Sequence, residues 1–91
     1  MKFRLHAIIY GDVQGVFFRA GTQELGNSLD LTGWVRNTPD GNVELVAEGE
    51  KEKLEQLLEY CNKGPDGAAV ERVESEWLAF KGEFKNFGIK Y

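Results

Sequence analysis

The chain has 91 residues, 42% of them hydrophobic, 29% charged and 12% aromatic, with one cysteine and a formal net charge of −4. That length makes one domain, residues 1–91, with a modest core, since a chain this size buries only about 60–65% of its unfolded surface, and its hydrophobic content excludes disorder. Fifteen acids against eleven bases argue against a nucleic-acid partner, and Cys61 alone can close no internal disulfide.

The first residues, Met1-Lys2-Phe3-Arg4-Leu5-His6, alternate polar and apolar. A secretory signal would need an unbroken apolar stretch there, and no run approaches the roughly 20 residues of a membrane span. The cytoplasm is the default compartment, with no membrane partner expected. Residues 3–10 continue the alternation and predict a strand, with Phe3, Leu5, Ala7 and Ile9 on its buried side. Gly11 is expected to end it. Residues 12–18 read as a loop, and from Arg19 to Leu29 the spacing of Phe18, Thr22, Leu25 and Leu29 predicts a helix.

Leu31 to Thr38 predicts a second strand, with Leu31, Val35 and Asn37 on one parity and Trp34 and Arg36 on the other. Thr38-Pro39-Asp40-Gly41 is a turn, because Pro39 presets φ and Gly41 can take a positive φ. A third strand follows over Asn42–Glu48, with Val43, Leu45 and Ala47 alternating with polar residues, until Gly49 breaks it. Residues 50–63 predict a helix with Leu54, Leu57, Leu58 and Cys61 on one stripe, stopped by Gly64-Pro65-Asp66-Gly67. Ala69–Leu78 predicts a fourth strand, and the tail from Phe84 to Tyr91 a short fifth.

The order β-α-β-β-α-β, with two helices apolar on one side only, predicts a ferredoxin-like split βαβ fold of the α+β class: an antiparallel sheet with both helices on one face. In this topology the first two strands run parallel without being neighbours. Their C-terminal ends share one rim, so the 12–18 loop and Asn37 meet there, with Asn37 aimed toward the start of the first helix.

That meeting point carries chemistry. Glycines at 11 and 15 allow a tight loop, and the helix that follows begins with N–H groups lacking internal partners. Together they make an anion socket, to which Arg19 adds a permanently charged fork matching phosphate oxygens. Asn37 is too weak a base to abstract a proton but could hold a water in line with a bound phosphorus, which suits phosphoryl transfer, where positioning dominates. The residues alone leave plainer readings open: an ordinary connection, a solvated helix arginine, and an asparagine capping the following turn. His6, the one histidine, sits mid-strand and supports no Ser–His–Asp arrangement; Cys61 on the helix stripe reads as core, and no metal constellation forms.

Gly11-Asp12-Val13-Gln14-Gly15-Val16-Phe17-Phe18-Arg19 resembles the first signature of the acylphosphatase family, G-x-V-Q-G-V-x-F-R. Gly33-Trp34-Val35-Arg36-Asn37, continuing through Gly41 and Val43 to Gly49, resembles the second, G-W-V-[R/K/Q]-N-x-x-x-G-x-V-x5-G. The resemblance implies a hydrolase that splits carboxyl–phosphate anhydrides into a carboxylate and inorganic phosphate, without metal or cofactor, on a small acyl phosphate; a monomer is expected, though the sequence leaves the oligomeric state open. By position it implies Arg19 as the phosphate ligand, Asn37 as the group that orients the nucleophilic water, and the backbone amides of Gln14, Gly15, Val16, Phe17, Phe18 and Arg19 as the phosphate cradle. It also implies that the C-terminal carboxylate at Tyr91 approaches Arg19. One departure is Asp30, at the first helix exit, where the family commonly has glycine. Two competing readings are an acyl-phosphate-binding module without turnover and an RNA-binding sheet displaying Tyr10 and Trp34; the net charge weighs against the latter.

Overall fold

A computed structural model of the chain describes residues 1–91. Its elements are β1 (Lys2–Asp12), α1 (Phe18–Ser28), β2 (Thr32–Asn37), β3 (Val43–Glu50), α2 (Lys51–Lys63), β4 (Ala69–Ala79) and β5 (Phe87–Ile89). They form one five-stranded sheet in the order β4-β1-β3-β2-β5, covered on one face by both helices, which is the ferredoxin-like α+β fold. The first four strands pair antiparallel; the sheet becomes mixed only at its edge, where the short β5 runs parallel to β2.

The helix-facing rows come directly from strand alternation. Leu5, Ala7 and Ile9 of β1 lie opposite Ala47, Leu45 and Val43 of β3, and all six are buried. From α2, Leu54, Leu57 and Cys61 pack down on them, one stripe at helical spacing. Each leucine buried here contributes about 1.5–3 kcal/mol. Burial pushes the Cys61 thiol up to about 12, so it stays a neutral core group.

Two glycines expected to break strands do not. β1 continues through Gly11 to Asp12, with a bulge after Tyr10, and β3 continues through Gly49 to Glu50. Gly11 adopts φ +134°, and a Cβ there would lie 2.2 Å from the Ala69 carbonyl oxygen. A strand can carry this backbone only at glycine, so the residue extends the ladder where composition suggested a stop.

Glu48 has the polar parity expected of it, yet it is buried, at 1% exposure. The chain after β4 folds across the open sheet face, where the N–H groups of Lys81 and Gly82 donate to its carboxylate at 2.7 and 3.0 Å, and Arg4 Nη1 stands 3.5 Å away. A buried carboxylate is tolerable with such partners.

The end of α1 explains an awkward stretch of sequence. Leu31 N–H donates to Gly26 O and Asp30 N–H to Asn27 O, a Schellman closure with Asp30 in the left-handed conformation at φ 58°. Gly26 and Asn27 favour helix poorly, but they dock β5. A Cβ at Gly26 would meet the Phe87 ring at 2.8 Å, and the Asn27 side chain bonds both the N–H and the C=O of Phe87. This contact fixes the chain that runs on to Ile89 and Tyr91.

Candidate active site

Ile9, Val43 and Asn37 form one cross-strand row on the helix side of the sheet. The first two are buried and apolar; at the rim the row ends in a carboxamide. Above it stands the head of α1. The two enclose an open pocket of about 300 Å³ lined by Val13, Gly15, Phe17, Phe18, Arg19, Ala20, Asn37, Ile89 and Tyr91. Arg19 and Asn37 thus share one cavity, together with three of the other five loop residues singled out from sequence, Gly15, Phe17 and Phe18. Gln14 and Val16, the other two, do not line it.

The pocket is rich in unused donors. No backbone N–H from Gln14 to Ala20 donates to a carbonyl; the first in α1 to do so is Gly21, onto Phe17 O at 3.0 Å. The N-cap position is Phe17, which offers no side-chain cap, and the first turn contains no acidic residue. The positive end of the helix dipole is therefore left free toward the cavity. Gly15 at φ +74° and Phe17 at φ 62°, ψ 21° both take left-handed conformations, which turns the loop in front of the helix. For a residue with a Cβ this conformation is strained, and such strain gathers at working sites.

Arg19 is the only charged side chain in the lining, and its guanidinium makes no ion pair or hydrogen bond within the protein. The Tyr91 ring stands beside it, its centre 5.4 Å from Cζ. The contact implied for the terminal carboxylate is thus made by the ring instead. With no Asp or Glu side chain in the lining, the acids behind the net charge of −4 are not gathered at the pocket.

Asn37 carries the one buried side-chain polar atom without a hydrogen-bond partner, its Oδ1. The turn that follows does not use it. Thr38 Oγ1 accepts from Asn42 N–H at 3.1 Å, Gly41 N–H reaches Thr38 O at 3.2 Å, and Gly41 supplies the positive φ, +90°. Capping of the turn by Asn37 is therefore not what the structure contains.

Sequence reading missed the side chain of Gln14. Its Nε2 donates to Thr38 O at 2.9 Å and to Asn42 O at 2.8 Å, tying the loop before α1 to the turn beside Asn37. The only signal for it was a long amide within the loop, and nothing in its spacing named a partner. The other titratable clusters lie on the far face. Burial pushes the Glu44 carboxyl up, but hydrogen bonds and charge from His6 and Arg36 outweigh this and hold it below its ordinary value. No group of three or more His, Cys, Asp or Glu could hold a metal ion, and no helix is long and apolar enough to cross a membrane.

The sequence profile of the acylphosphatase family matches residues 5–89. Among curated proteins, an acylphosphatase of Marinobacter nauticus is 49% identical over 92% of this chain and 91% of its own length. One of Pelotomaculum thermopropionicum is 44% identical over 99% and 98%. Among solved structures, an acylphosphatase from Coxiella burnetii superposes with a TM-score of 0.91 at 38% identity, covering 98% of this chain and 93% of that one.

Proposed function

Because this chain belongs to the acylphosphatase family, and is a hydrolase of that kind, we propose that the pocket at the head of α1 takes the phosphoryl group of an acyl phosphate and that Asn37 aims the attacking water. The observation that carries this reading is the buried, unpartnered Oδ1 of Asn37, lining the same cavity as an unpaired guanidinium and a run of unpaired amides. A folded protein rarely leaves a buried acceptor unsatisfied, since doing so costs about 1–3 kcal/mol. At this position a water between Oδ1 and the bound phosphorus satisfies it.

In this mechanism the phosphoryl oxygens accept hydrogen bonds from those backbone amides of the Gln14–Arg19 loop that face the pocket and from the Arg19 fork, which neutralise its charge as the transition state forms. Gln14, through its side chain, keeps loop and turn at a fixed separation. The water donates a proton to Asn37 Oδ1 as a hydrogen bond, leaving a lone pair directed at phosphorus. Attack forms the new P–O bond and breaks the bond to the acyl oxygen in line. The acyl group departs as a carboxylate, and the proton the water gives up goes to the phosphate product. A carboxylate is a good leaving group without protonation, so the step requires no general acid.

The products are a carboxylate and inorganic phosphate. We take residues 1–91 to act as one domain, with the pocket built from a single copy, and without metal or cofactor. The test is hydrolysis of benzoyl phosphate, followed by ultraviolet absorbance in excess chelator, with inorganic phosphate as inhibitor. Turnover with competitive inhibition by phosphate is expected. Phosphate binding without turnover above background would leave a binding module in place of an enzyme.

A further inference from the structure

We propose that Phe17 and Tyr91 form the acyl-group side of the pocket, so that the enzyme selects acyl phosphates with an apolar, uncharged acyl group, aromatic ones above all, over those bearing a second carboxylate. The proposal rests on the phosphoryl-binding reading given above.

Six of the nine lining residues are hydrophobic, and two of them are large rings left almost wholly in water: Phe17 is 83% exposed and Tyr91 97%. Neither contributes to the core. Exposed aromatic surface beside a polar socket gains by covering a ligand's apolar portion. Phe17 is also held where a branched or bulky side chain is disfavoured, at φ 62°; Gly or Asn would adopt this backbone with less strain. The loop needs only the backbone there, so the ring itself calls for a use.

Distance and charge indicate that use. The Tyr91 ring centre lies 5.4 Å from Arg19 Cζ, beside the group that would grip the phosphoryl oxygens. Only the bridging oxygen separates an acyl carbon from phosphorus, so whatever the acyl group carries must lie against the pocket's apolar lining, which includes the exposed rings of Phe17 and Tyr91. Arg19 is the one cation available and is already engaged. A second carboxylate on the substrate would meet no partner there and would be desolvated against rings, in a protein whose net charge is −4.

The experiment compares benzoyl, acetyl and succinyl phosphate as substrates of the intact chain and of two variants, Phe17→Asn and Tyr91→Ala, with inorganic phosphate inhibition measured on each. Asn keeps the left-handed backbone, and both positions are exposed, so folding is checked simply by circular dichroism melting. Each variant is expected to lose about fivefold more kcat/KM on benzoyl than on acetyl phosphate, the energy of one aromatic contact, with the excess appearing in KM. Inhibition by phosphate should weaken by less than that excess. Equal losses on all three substrates would overturn the proposal. So would a parallel weakening of phosphate inhibition, which would make the rings part of the phosphate socket, or a wild-type chain that favours succinyl over benzoyl phosphate. If instead the wild-type chain turns over none of the three, the parent reading fails and this one falls with it; a wild-type chain that turns over all three with equal kcat/KM, phosphate inhibition intact, removes the acyl assignment alone.

Discussion

Replacing Asn37 by alanine separates a working side chain from a structural one, because the two roles predict opposite stability changes. In the folded chain Oδ1 is buried without a partner, and the turn is closed by Thr38 and Gln14. Truncation therefore removes no hydrogen bond and relieves an unsatisfied acceptor, whose burial costs about 1–3 kcal/mol. Against this stands the loss of some packing at a half-buried site. The expected result is a variant as stable as the parent or more stable by up to about 1 kcal/mol, which for a domain of this size raises Tm by about 4–8 °C. Activity should move the other way. Loss of one preorganised group typically lowers kcat by about 10²–10³, or 2.7–4 kcal/mol of barrier at about 1.36 kcal/mol per factor of ten. Phosphate inhibition should be largely retained. The assays are thermal melting by circular dichroism and benzoyl phosphate turnover on the same sample. A stability loss above about 1 kcal/mol, the usual size of a lost cap, would refute the reasoning, as would near-normal turnover by folded protein.

Arg19→Ala should leave stability within about 0.5 kcal/mol, since the guanidinium pairs with no carboxylate, yet weaken phosphate inhibition by about 10- to 100-fold, as read from inhibition constants. Arg19→Lys should recover only part of this, because an ammonium cannot offer a paired fork. Gln14→Ala removes both bonds between loop and turn and should cost about 2 kcal/mol in urea denaturation with unchanged m, together with a fall in kcat. Asp30→Gly should gain about 1 kcal/mol with activity unchanged, because the left-handed position that closes α1 suits glycine and lies outside the pocket. Glu44, held below its ordinary carboxyl value by His6 and Arg36, contributes stability that is present above the unfolded value of 4.5 and lost as pH falls through the lower folded value. Glu44→Gln should therefore flatten the decline of Tm between about pH 5 and 3.

Sequence alone determined the order of elements, the core faces and the rim where chemistry gathers. These rest on local rules: period-two alternation set which side of β1 and β3 is buried, the stripe from Leu54 to Cys61 set the face of α2, and Pro39–Gly41 set the turn. Because a split βαβ chain must carry β1 and β2 parallel, Arg19 and Asn37 were already expected at one end of the sheet, and they line one pocket. Tertiary structure decided everything that depends on a partner distant in the chain. Gln14 finds carbonyls 24 and 28 residues away, Asn27 grips Phe87, and Glu48 is buried only because the 81–82 amides return to it. Gly11 and Gly49 continue their strands because neighbouring backbone fits where a Cβ would not, or because φ demands it. No residue's spacing along the chain encodes which distant group will satisfy its hydrogen bonds. That is decided when the layers close, and the same closure leaves the carboxamide of Asn37 without a partner beside an unpaired guanidinium.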